Sequence, residues 1–110
     1  MKFNQPIRFT PIYQSRVWGG RRMATLLGAT VPDATTPFGE AWTVSDRPEA
    51  QSVTADGVSL HELWTSHREA VFGKALLASP SPTFPLLMKI LDACDDLSIQ
   101  VHPPANMAAA

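Results

Sequence analysis

Three polar side chains late in the chain are spaced so that they can converge. From residue 97 to residue 102, Leu97, Ile99 and Val101 alternate with Ser98, Gln100 and His102. A period of two puts the apolar three on one face of a strand and the polar three on the other. On such a strand Gln100 and His102 share a face with their Cα atoms about 6–7 Å apart. Side chains at that distance can meet on one small object, such as a metal ion. The residue types leave a second reading open, the wet face of a half-exposed strand. Zinc takes four ligands, or three and a water, mostly from His, Cys and carboxylates, and Gln is a less common donor. Lys89 is the other chemical feature, a lone charge within Pro85-Leu86-Leu87-Met88-Lys89-Ile90-Leu91. Burial there would disfavour its charged form, which suits a lysine base. The alternative is a lysine that faces water or snorkels from an apolar surface.

The wider run from residue 84 to residue 103, FPLLMKILDACDDLSIQVHP, resembles a signature of the type I mannose-6-phosphate isomerases. These are zinc-dependent phosphomannose isomerases of the cupin superfamily. Two upstream blocks extend the resemblance in the family's order: Arg16-Val17-Trp18-Gly19-Gly20 and Phe38-Gly39-Glu40-Ala41-Trp42-Thr43-Val44-Ser45-Asp46. The resemblance implies interconversion of mannose 6-phosphate and fructose 6-phosphate. A proton would move between C1 and C2 through an enediol, with a divalent metal polarising the two oxygens. Carried onto this sequence, Gln100 and His102 match the first two zinc ligands. A glutamate and a second histidine would complete the set, and no Asp or Glu follows His102. Lys89 matches a lysine proposed for acid–base work. Trp18 and Glu40 match positions at the mouth of the active site; their plainer readings are a core tryptophan and a strand-edge carboxylate. Ser98 shares the polar face and is expected either to touch substrate or simply to line the cavity.

The implied fold is mainly β with short helices, part of a cupin-like β-sandwich (jelly roll) that residues 1–110 leave incomplete. The chain is accordingly expected to be the amino-terminal portion of the catalytic domain, holding one zinc ion per full-length subunit and acting on a phosphosugar. Two other classes stay open: a non-catalytic cupin-like sugar- or metal-binding or regulatory domain, and an interaction domain without metal. Arg16, Arg21 and Arg22 are phosphate candidates by charge alone. No glycine-rich phosphate loop precedes a helix, and no phosphate contact is assigned.

Composition agrees with a small globular unit. The chain has 110 residues and a net charge of −1, with no block of either sign that would suit nucleic acid or a membrane surface. Cys94 is the single cysteine, which rules out an intrachain disulfide and fits a reducing compartment, the cytoplasm. No stretch has the apolar core of a signal peptide or the ~20 apolar residues of a membrane helix.

The elements that must position these residues read as follows. Residues 7–10 alternate like a strand between two prolines. Residues 13–20 are extended or looped and end at a Gly19-Gly20 break. Residues 21–27 form a short helix stopped by Gly28. Residues 29–37 are a loop. Residues 39–46 form a strand, and residues 51–54 a second one beyond Pro48. Asp56-Gly57 is a turn. Ser59 caps a helix with Glu62 three residues on, and Leu60, Leu63 and Trp64 share its buried face. His61 and His67 lie on its surface. Residues 68–72 add a further turn of helix, and residues 78–85 hold too many prolines for a regular element. Asp92, Asp95 and Asp96 read as turn residues, and residues 107–110 suit the beginning of a helix. No linker divides the chain.

Overall fold

The protein is described by a computed structural model covering residues 3–99 and Val101. Its centre is a three-stranded antiparallel sheet in the order β1-β2-β5, built from β1 (Ile12–Gly20), β2 (Phe38–Val44) and β5 (Met88–Leu91). The sheet is antiparallel and the helices are short, as the expected fold class requires. Strand β2 lies in the middle, and its residues from Phe38 to Trp42 are all buried. Trp42 pairs with Ile12 on one side and with Lys89 on the other. A second, two-stranded sheet is a small hairpin, β3 (Asp46–Arg47) with β4 (Ala50–Gln51).

The helical layer is held by one aromatic cluster. Helix α2 (Leu60–Ser66) starts where Ser59 accepts a hydrogen bond from the Glu62 amide at 3.1 Å, as the capping pattern predicts. Leu60, Leu63 and Trp64 are its buried face. Trp64 meets Phe72 and Phe84 edge-on, with ring centroids 5.3 and 5.7 Å away. Phe72 closes α3 (Arg68–Phe72), which a 3-10 turn (Lys74–Leu76) follows. The buried Asp46 carboxylate accepts from the Phe84 amide at 2.8 Å and from Gln51 Nε2 at 2.8 Å, and touches His61 Nδ1 at 3.1 Å. This tie fixes the proline-rich loop that leads into β5, and so helps to set where Lys89 starts. His61 and His67 are exposed, as expected.

Several local expectations need correction. Residues 7–10 pair in no ladder; the flanking prolines lack amide donors, and only Thr10 donates, to the Val53 carbonyl. Residues 13–20 take the extended of their two readings, as part of β1, and Gly19-Gly20 continues the strand and does not break it. The first helix, α1 (Arg22–Thr25), has four residues and buries only Met23, while Leu26 and Leu27 are exposed. It has no side-chain cap to extend it. The second strand of the middle region is shorter than expected, with Val53 in a single bridge to Ser59. Residues 97–99 form no strand, and Leu97, Ile99 and Val101 are exposed at 43%, 97% and 85%. A strand exists only where a neighbouring strand takes up its amides and carbonyls, and residues 97–99 belong to no ladder or bridge among the described residues. Residues 107–110 lie outside the described residues.

Candidate active site

The site is built where β1 crosses the central strand. Residues Gln14, Arg16 and Trp18 follow one another at a spacing of two, so they share a face of β1. The β1–β2 register is regular to Gln14 opposite Glu40 and then breaks twice before Gly20. Within that irregular stretch Arg16 and Trp18 are half-buried while Ser15 and Val17 point out. They lie over Gly39, whose missing side chain makes room for them. A Cβ built there would stand 2.6 Å from Arg16 Cβ and 2.8 Å from Trp18 Cζ3.

On the other side of β2, Lys89 is directly opposite Trp42 and Leu91 opposite Glu40. Opposite and diagonal residues of an antiparallel pair project to one face. Glu40, Trp42, Lys89 and Leu91 therefore meet Arg16 and Trp18 on that face. Together with Leu97 and Ser98, the residues Arg16, Trp18, Glu40, Lys89 and Leu91 enclose a cavity of about 610 Å³. That volume is within the range of small-molecule sites. The fold thus brings four of the sequence-derived candidates, Trp18, Glu40, Lys89 and Ser98, to one place from separate segments. Gln100 and His102 lie outside the described residues. Among the described residues no group of three His, Cys, Asp or Glu could hold a metal ion.

Glu40 is the electrostatic centre. It is 5% exposed. Its Oε2 accepts from Arg16 Nε at 2.7 Å, and its Oε1 accepts from Trp42 Nε1 at 3.0 Å and pairs with Lys89 Nζ at 2.8 Å. Burial alone would push this carboxyl up. The hydrogen bonds from Lys89 and Trp42, with the charges of Lys89 and Arg16, outweigh it and hold the carboxyl below its ordinary range. Glu40 is therefore an ionised acceptor with both oxygens occupied, placed to hold its neighbours. Of the two environments the sequence leaves open for Lys89, the structure gives the exposed one. Despite its apolar flanks, the side chain is 38% exposed and its ammonium has a carboxylate partner. The flanks do not enclose it because, among the described residues, β5 is an edge strand, with all four of its residues exposed.

Sequence reasoning missed Asp92. It is no simple turn residue but a buried carboxylate, 5% exposed, at the end of β5. It accepts from the Arg22 amide at 2.8 Å and from Arg22 Nε at 2.6 Å, while its own amide donates to the Gly39 carbonyl at 2.9 Å. Burial again pushes up, and the Arg22 hydrogen bonds and charge bring the carboxyl below its ordinary range. Two residues on, the Cys94 amide donates to the Trp18 carbonyl at 2.8 Å. Gly20 permits this closeness, since a Cβ there would collide with Cys94 Sγ and Asp92. These ties carry the chain from β5 back over β1 and on toward Ser98. The Gly-Gly pair was the available signal, because paired glycines mark close backbone approach as well as breaks.

Comparison with known proteins gives the family. Residues 7–110 match phosphomannose isomerase type I, catalytic domain. The chain belongs to the type I phosphomannose isomerases. Among its relatives, a mannose-6-phosphate isomerase of Streptococcus mutans is 43% identical over 103 residues, which are 90% of this chain and 30% of that protein. One from Bacillus subtilis is 42% identical with the same coverage. The crystal structure of the mannose 6-phosphate isomerase from Bacillus subtilis superposes with a TM-score of 0.69 at 36% identity, covering 82% of this chain and 28% of that one. A mutant phosphomannose isomerase from Salmonella typhimurium gives 0.70 at 30% identity, covering 91% and 26%. The chain therefore spans about 30% of the length of these curated relatives. Every cavity-lining residue falls inside the part matched to the isomerase family. Among the described residues no helix is long and apolar enough to cross a membrane.

Proposed function

We propose that this chain is the amino-terminal part of a zinc-dependent, cytoplasmic mannose-6-phosphate isomerase with a cupin-type β-sandwich. The reaction is the exchange of mannose 6-phosphate and fructose 6-phosphate. The observation that carries the reading is the convergence of Trp18, Glu40, Lys89 and Ser98 on one cavity, within a chain that matches this family. Lys89 is the proton-transferring group. Its ammonium lines the cavity and is held by Glu40 at 2.8 Å, so it can donate a proton to a sugar oxygen, and the amine left behind can accept the proton that leaves carbon. Glu40 acts through Lys89 and Arg16, fixing both. Trp18 supplies an apolar wall that a sugar ring can lie against, and Ser98 a hydroxyl at the same cavity.

The metal donors fit zinc in kind but not in number. Gln100 offers a neutral amide oxygen and His102 an imidazole, and these follow Ser98 by two and four residues. Two donors do not complete a zinc site, so the remaining ligands belong to other segments of the enzyme. When bound, zinc would polarise the sugar oxygens.

The test is a coupled isomerase assay on the full-length protein and its Lys89→Met variant. The expected result is turnover in the former and a loss of about 10²–10⁴ in kcat in the latter. No turnover with either sugar phosphate, or full turnover in Lys89→Met, would overturn the reading.

A further inference from the structure

Arg16 stands in the cavity with unused donor capacity. Its Nε donates to Glu40 and its Nη1 to the Ser15 carbonyl at 2.8 Å. Its Nη2 has no partner among the described residues. The side chain is 36% exposed, so a solute can reach it. Neighbouring arginines are committed elsewhere: Arg21 to the carbonyls of Thr36 and Asp33, and Arg22 to Asp92. The charged residues lining the cavity are Arg16, Lys89 and Glu40, which leaves one positive charge in excess. One buried carboxylate thus holds two cations on opposite oxygens, and both cations line the same cavity.

We propose that Arg16 is a substrate contact that reads the phosphate of the phosphosugar, with Glu40 orienting its guanidinium. This rests on the function proposed above and deepens it. The chemistry favours an anion over a neutral hydroxyl. A guanidinium has a rigid planar fork that matches phosphate oxygens. The Nε bond to Glu40 fixes the plane of that fork before substrate arrives, which lowers the ordering cost of binding. Gly39 belongs to the same device, since only the absence of a side chain there lets the Arg16 stem cross the central strand.

The test uses the full-length protein, Arg16→Gln and Arg16→Lys. Two quantities are read: KM and kcat for mannose 6-phosphate, and the affinity for inorganic phosphate by titration calorimetry. In Arg16→Gln, KM should rise by about tenfold or more, with the larger share of the loss in KM. Phosphate affinity should fall by a similar factor. Arg16→Lys should recover part of both, because it keeps the charge and loses the fork. A loss confined to kcat with phosphate affinity unchanged would make Arg16 a structural ion pair and overturn the proposal. So would a wild-type protein that binds no phosphate, or binds it as Arg16→Gln does. Calorimetry needs no turnover, so an inactive wild-type protein would sink the proposed isomerase while the Arg16 comparison still stands.

Discussion

Gly39→Ala tests how the site is assembled, because a single methyl group is asked to fit where two side chains already lie. The new Cβ would stand 2.6 Å from Arg16 Cβ and 2.8 Å from both Arg16 Cγ and Trp18 Cζ3. Carbon atoms in ordinary contact are about 3.5–4.0 Å apart, so the overlap is roughly 1 Å on three atoms. Two of those atoms are near the root of the Arg16 side chain, where a rotamer change gives little relief. Overpacking of this kind costs about 1–3 kcal/mol, a roughly 5- to 150-fold change in the folded-to-unfolded ratio. The alternative is that β1 lifts off β2. The Arg16–Glu40 bond would then break, and stability would be partly recovered at the expense of the cavity. The assay is urea unfolding of the full-length protein together with its KM for mannose 6-phosphate. Either the midpoint falls or KM rises, and most simply both. A Gly39→Ala protein with unchanged midpoint and unchanged KM would refute the close crossing of β1 over β2.

Two further outcomes follow from the buried carboxylates. Asp92→Ala removes the acceptor of the Arg22 amide and side chain and should lower the thermal midpoint by roughly 5 °C, read by calorimetry; an unchanged midpoint would mean that the tie between β5 and α1 is dispensable. Acid should also destabilise the fold. Glu40 and Asp92 both have folded pKa values below their ordinary ones, so their stabilisation is complete above the unfolded carboxylate range and is lost as pH falls through the folded values. Thermal midpoints measured from neutral pH downward should therefore drop below about pH 4, and a midpoint that stays flat through that window would contradict the assignment.

Much of the chain was legible from local signals. The Ser59 cap, the buried face Leu60-Leu63-Trp64, the Asp56-Gly57 turn and the strand around Glu40 all depend on residues close in sequence. The extended reading of residues 13–20 was also available, although Gly19-Gly20, taken as punctuation, placed the end of the element as a break. What was not legible depends on distant partners. Asp92 looks like any acidic turn residue until Arg22, 70 positions away, is found on it. The flanks of Lys89 left burial and exposure both open, and the place of β5 at the edge of the described sheet decides for exposure. Residues 97–101 carry a clean period of two, but periodicity describes faces and does not supply a pairing strand. The candidate site was legible as a list, Trp18, Glu40, Lys89 and Ser98. The arrangement of that list around a doubly paired Glu40 came only from the fold, which also singled out Arg16 from the three arginines that charge alone had offered.

We propose His102 as a ligand of the zinc isomerase site to which this chain contributes. Metal analysis and coupled isomerase turnover, measured together on the full-length protein and on its His102→Ala variant, test it most directly. The unaltered protein should hold about one zinc per subunit and turn over. In the variant, zinc binding should weaken and turnover should fall by roughly 100-fold or more. Stoichiometric zinc and normal turnover in His102→Ala would contradict that assignment.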